Sequence, residues 1–200
     1  PLAAAFQPPL APGTQMEWLP AATLAHENVA VLAERGGRVY RLQLAATGAQ
    51  AQLTATAESQ GTSYQLTSGV AVIGGQVFAG TNEQMLATFD AKSLLQGPDV
   101  KLSGNVVWGP FVVGEMVLVA TDAGRLHAIS ASREGLWEVE LSAGELVGAP
   151  QVVGDNVLVA YRGGTLQTLR AADGGEVGKL DLEQPLASGP VGFQSRYLGY

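Results

Sequence analysis

Two histidines, His26 and His127, are the only imidazoles in the chain, and cysteine is absent. Thiol nucleophiles, disulfides and thiolate metal sites are therefore excluded at the outset. A metal centre needs several convergent donors. His26 has only Glu27 beside it, and His127 lies within Gly124-Arg-Leu-His-Ala-Ile129 with no companion ligand. His26 reads as a loop residue and His127 as a packing residue. Glu138 and Glu140 are paired carboxylates at i, i+2 spacing in Leu136-Trp-Glu-Val-Glu-Leu141. General acid–base work requires burial that separates two such pKa values. On an alternating strand both instead share one solvated face, with Trp137 and Val139 on the other. Asp122, Asp155 and Asp173 sit near glycines, where aspartate bonds its own backbone in turns, and a calcium site would need further oxygen donors. Gly74-Gly75 leads into a strand rather than a helix N-terminus, so it is no phosphate loop. No Gly-x-Ser-x-Gly elbow occurs, and no Ser, His and Asp are spaced as a triad. No catalytic, cofactor-binding or metal-binding residue is assigned. The binding candidates are Trp18 and Trp108, each two residues before a proline, Pro20 and Pro110. Tryptophan is enriched at binding hot spots; packing between repeats is the competing role.

The elements that carry these residues recur. Pro110 and Pro150, Gly114 and Gly154, Val119 and Val159, Gly124 and Gly164, and Leu126 and Leu166 are equivalent pairs with one spacing of about 40 residues between two lines of sequence. Gly69–Ala79 falls one period earlier, and Ala33-Glu-Arg-Gly-Gly37 matches Ala160-Tyr-Arg-Gly-Gly164. The predicted units cover about 18–60, 61–104, 105–144 and 145–184, with 185–200 as the start of a fifth. Residues 1–17 hold four prolines and read as a Pro/Ala-rich linker. Within the first unit, Asn28–Ala33 and Arg38–Leu44 are strands around the Gly36-Gly37 turn, and Ala45–Gly48 turns the chain into a third. In the fifth unit, Ser195–Tyr200 is the expected second strand.

The return strands align in columns. One column is Val39, Leu86, Leu126 and Leu166, and three residues later stands Leu42, Phe89, Ile129 and Leu169. An offset of three residues puts the columns on opposite strand faces, and both are apolar, so each sheet needs covering on both sides. Radially stacked four-stranded blades meet that need. The fold class is all-β, a β-propeller arc of about four blades and the start of a fifth, part of a larger propeller. Exposed end faces then call for a longer parent chain, association of two copies, or closure by residues 185–200.

Gly124-Arg-Leu-His-Ala-Ile-Ser-Ala-Ser-Arg-Glu-Gly-Leu-Trp137, Gly164–Val177 and Gly37–Gly48 resemble the repeat Gly-x-Leu-Tyr-Ala-Leu-Asp-Ala-x-Thr-Gly-x-x-x-Trp of the PQQ-like β-propeller family. The resemblance covers residues 18–200. It implies propeller blades of PQQ-like repeats and a docking tryptophan, present here at Trp137. The family includes quinoprotein dehydrogenases and a non-catalytic propeller lipoprotein of the outer-membrane barrel-assembly machinery. The catalytic branch uses vicinal cysteines and a calcium site of Glu, Asn and Asp; no residue here is matched to either. The expected function is a non-catalytic, protein-binding or scaffolding module of the bacterial cell envelope, extracytoplasmic and without a cofactor. The alternatives are a piece of a PQQ-dependent dehydrogenase, or a carbohydrate-binding or sensor domain. The partner is expected to be a protein, with self-association through exposed blade faces as a second mode. The net charge of −7, with 11 scattered basic residues, argues against nucleic acid. No apolar run is long enough to span a bilayer as a helix.

Overall fold

Short β-rich runs separated by Gly and Asp turns have one efficient pairing, the antiparallel meander, and four such meanders are seen. The computed structural model describes residues 17, 19–20, 22–24, 28–47 and 50–190. The first sheet holds β1 (Ala22–Leu24), β2 (Val29–Ala33), β3 (Val39–Thr47) and β4 (Gln50–Glu58). The second holds β5 (Leu66–Ile73), β6 (Gln76–Thr81), β7 (Met85–Asp90) and β8 (Val100–Lys101). The third holds β9 (Val106–Val113), β10 (Met116–Thr121), β11 (Arg125–Ser130) and β12 (Gly135–Glu140). The fourth holds β13 (Leu146–Val153), β14 (Asn156–Tyr161), β15 (Thr165–Arg170) and β16 (Glu176–Asp181). In every sheet the spatial order equals the sequence order, and the described residues contain no α-helix. These are consecutive blades of a β-propeller.

Three apolar seams join the four blades. Val31, Ala33 and Val39 of the first blade meet Val77, Ala79 and Phe89 of the second. Phe78 and Leu86, on the second blade's other face, meet Val117, Val119 and Ile129 of the third. Leu118, Ala120 and Leu126 of the third meet Val157, Val159 and Leu169 of the fourth. Consecutive residues of one strand thus serve different seams, as the period of two requires. Each fully buried aliphatic or phenyl side chain contributes about 1.5–3 kcal/mol, so the middle blades are held from both sides. The first strands of neighbouring blades lie against each other, placing β1, β5, β9 and β13 towards the inside of the arc. The fourth strands form its outer rim.

The outward face of the fourth blade lacks such a neighbour among the described residues. Val113 of the third blade is 4% exposed, and its equivalent Val153 is 44% exposed. Leu180, opposite Leu166, is 57% exposed.

Two details differ from the sequence expectation. Ala45–Gly48 was expected to turn the chain, yet β3 runs on to Thr47, paired with Gln50. The backbone bonds of this long hairpin continue beyond the apolar positions that mark its start. Residues 185–190 form no strand; Leu186 donates its amide to the Arg162 carbonyl at 2.9 Å. The strand expected at Ser195–Tyr200 lies outside the described residues, as does the proline-bearing part of the expected linker.

Candidate functional site

Among the described residues, two concave places hold side chains that the sequence singled out. The first lies where the inner strands converge. Ser68, Val107, Trp108, Phe111 and Ala149 line a groove of about 390 Å³. Trp108 sits opposite Ala120, at a register shift in the pairing of β9 with β10. Gly109 allows that shift: its φ is +86°, and a Cβ there would lie 2.6 Å from the Leu118 carbonyl oxygen. The Trp108 indole N–H donates to the Gly148 carbonyl at 2.7 Å. Its ring lies 4.6 Å from that of Phe111, tilted by 58°. Trp108 is 8% exposed and belongs to the seam between the third and fourth blades. The same side chain therefore packs two blades together and walls the groove. Its neighbour Val107 is 63% exposed. Trp18 lies outside the described residues.

The second place is on the outer rim, between the second and third blades. Ser103 follows β8, His127 is on β11 and Glu138 is on β12, directly opposite His127 in the register. Ser103 Oγ is 2.8 Å from His127 Nε2. His127 Nδ1 is 3.6 Å from Glu138 Oε2. Ser103 Oγ also stands 3.3 Å from the Thr121 hydroxyl, and Arg125 Nε is 3.7 Å from the Glu138 carboxylate. The imidazole is buried while Ser103 and Glu138 are exposed. Burial lowers the His127 pKa; the Glu138 carboxylate opposes this and the Arg125 guanidinium adds to it. A cavity of about 460 Å³ opens beside the cluster, its walls including Lys101, Leu102, Ile129, Leu136 and Trp137.

The next seam provides an internal comparison. Leu102 and Leu141 donate their amides to Gln84 and Gly124, equivalent turn positions, so Ser142 corresponds to Ser103. Gln167 stands in the place of His127, and its register partner Lys179 in the place of Glu138. There Lys179 Nζ donates to Ser142 Oγ at 2.6 Å, and Gln167 Nε2 to Glu176 at 2.6 Å. These two seams thus both carry polar groups at the rim, and only one of the two holds an imidazole; in the seam before them the equivalent residue is Ala87, buried in the apolar cluster.

His127 is buried and Glu138 and Glu140 are exposed, as read from sequence. Ser103 was missed because it belongs to the preceding unit and reaches His127 only when blades stack. The recurrence of Leu-Ser at 102–103 and 141–142 was the available signal. Asp122 accepts from the Asn105 amide and side chain at 2.9 and 3.0 Å, and Asp173 accepts from the Gly175 amide at 2.8 Å. Both are turn-fixing bonds. Among the described residues no three His, Asp or Glu side chains converge as a metal-binding set; His26 lies outside them.

Residues 92–188 match the family model described as outer membrane protein assembly factor BamB. Among solved structures, BamB from Moraxella catarrhalis superposes with a TM-score of 0.64 at 19% identity, over 84% of this chain and 51% of that one. The computationally designed Ika8 protein gives a TM-score of 0.69 at 15% identity, over 88% of this chain and 53% of that one. BBS1N, solved in complex with ARL6DN, gives 0.63 at 14% identity, over 91% and 58%. At these identities the likeness is one of fold. No curated protein matches. The aligned region spans between 51% and 58% of the length of these solved structures.

Proposed function

From a chain built of PQQ-like β-propeller blades, we propose a protein-binding, scaffolding module of the bacterial cell envelope. The match to a family described as an outer membrane assembly factor supports this reading at the level of a propeller scaffold. The observation that carries it to a site is the inner groove, where exposed Val107 adjoins the aromatic wall of Trp108 and Phe111. An apolar side chain of a partner would enter there and gain burial against preorganised rings. Because Trp108 is already fixed by Gly148 and Phe111, little ordering entropy is lost on docking. The residue that meets the partner first is Val107, with Trp108 behind it.

The test is a photo-crosslinking side chain at position 107, with a control at exposed Glu115, in cells of the source organism. Cross-links at 107 to a defined envelope protein, absent at 115, would support the reading. Equal cross-linking at both positions, or recovery of the chain in the cytoplasmic fraction, would count against it. Addition of PQQ with calcium, followed by absorbance, tests the dehydrogenase alternative in the same preparation; stoichiometric binding would replace the scaffold reading.

A further inference from the structure

We infer that Ser103, His127 and Glu138 form a hydrolytic site at the rim seam, acting on small carboxylic esters with an apolar acyl group. The seam cluster has the order of groups that nucleophilic catalysis by serine uses. A hydroxyl stands 2.8 Å from one imidazole nitrogen, within hydrogen-bond distance, and a carboxylate faces the other from 3.6 Å, too far for a hydrogen bond but near enough to act through its charge. The carboxylate favours the proton on Nδ1, which leaves Nε2 to accept from Ser103 Oγ. The serine is exposed and the base is buried, so substrate reaches the nucleophile while water is kept from most of the imidazole. The cavity beside them accounts for the substrate class. Leu102, Ile129, Leu136 and the Trp137 ring offer an apolar wall, and Lys101 brings a positive charge to the same cavity.

The chemistry closes on these groups. Ser103 Oγ bonds to the ester carbonyl carbon as its proton passes to Nε2, and the Lys101 ammonium offsets the charge developing on the carbonyl oxygen. The bond to the alkoxy oxygen then breaks, and the alcohol leaves with the proton from Nε2. Water repeats the sequence on the acyl-serine, and the acid departs as Oγ regains its proton. Glu138 touches no reacting atom and is a positioning residue. The site lies on the outer rim and the groove of the scaffold reading on the inner strands, so each stands or falls alone. The next seam, with Gln167 and Lys179 in the corresponding places, lacks the base.

The experiment treats the purified chain with a fluorophosphonate probe, maps the modified peptide by mass spectrometry, and follows hydrolysis of p-nitrophenyl butyrate. The expected result is modification at Ser103 and hydrolysis that falls at least about 100-fold in both Ser103→Ala and His127→Gln. Gln is what the neighbouring seam carries at that position, so His127→Gln should keep the wild-type circular dichroism spectrum. Glu138→Gln should move the pH midpoint of hydrolysis lower, because the carboxylate raises the His127 pKa. A folded wild-type chain left unmodified at Ser103, or hydrolysis equal in wild type and a folded Ser103→Ala, overturns the proposal.

Discussion

Trp137 donates its indole N–H to the Ala171 carbonyl at 2.8 Å, crossing from the third blade to the fourth. Its ring occupies the space that a side chain at Gly174 would need: a Cβ there would lie 2.7 Å from the ring. One tryptophan and one glycine, 37 positions apart in the chain, therefore fix how the turn of one blade seats on the outer strand of its neighbour. Gly174 meets a second condition, since its φ is +72°.

Gly174→Ala should therefore destabilise the chain by about 1–3 kcal/mol through strain at positive φ and the collision with the indole. Chemical denaturation followed by tryptophan fluorescence would measure it. In a Trp137→Ala background the collision with the indole vanishes, leaving the backbone strain and the approach to Val139 Cγ1 at 2.9 Å, so the two changes should be non-additive. An additive double mutant would mean that the ring yields freely and that the seam is not fixed at this point.

The repeat supplies its own control for what a neighbouring blade contributes. Leu126 and Leu166 are equivalent, but Leu126 is sealed in the seam between the third and fourth blades, while Leu166 is half-buried on the fourth blade's outward face. Leu126→Ala should cost about 2–5 kcal/mol, and Leu166→Ala less than half as much. Urea midpoints at matched protein concentration give the comparison. If Leu166→Ala proved as costly as Leu126→Ala, another surface would have to cover the fourth blade in solution.

The propeller class was legible because it is written in a period and a column rule. Leu86 and Phe89 lie on opposite faces of β7 and serve different seams, as the alternation of apolar columns required. The docking role of Trp137 was an implication of the resemblance to the PQQ-like repeat, whose final Trp position it fills. Ser103 was not legible, because its partner is 24 residues away in the next unit and the contact exists only once two blades stack. Trp108 shows a different limit. A single sequence offered packing and binding as rivals, whereas one side chain packs a seam with its indole N–H and walls a groove.

His127 gives a pH dependence with a definite sign. Its folded pKa lies below the ordinary 6.5, through burial first, with Glu138 opposing and Arg125 adding. Below 6.5 the unfolded chain takes up the proton before the folded one does, so stability falls as pH drops from that value towards the folded pKa. The stabilising contribution is complete above 6.5. Denaturation midpoints of wild type and His127→Gln should therefore diverge with pH in the mildly acid range, the variant showing the shallower slope. Parallel curves for the two proteins would remove His127 as the source.

Tyr161 gives the opposite limb. Its side chain is fully buried in the seam between the third and fourth blades, with its hydroxyl donating to Gln167 Oε1. Burial, followed by the nearby Glu176 carboxylate, pushes its pKa from 10.0 up to about 12. Above pH 10 the unfolded chain ionises this phenol while the folded chain keeps it protonated, so the unfolded state gains and stability falls as pH rises from 10 towards 12. Tyr161→Phe removes that titration along with the hydrogen bond to Gln167. The variant should be less stable at neutral pH, by about 0.5–1.5 kcal/mol for the lost bond, yet lose stability more gently under alkali. Ultraviolet absorbance of the phenolate, recorded beside unfolding midpoints, separates the two effects. A wild-type chain whose tyrosines all titrate together near the ordinary value while it remains folded would show that the seam admits water at Tyr161.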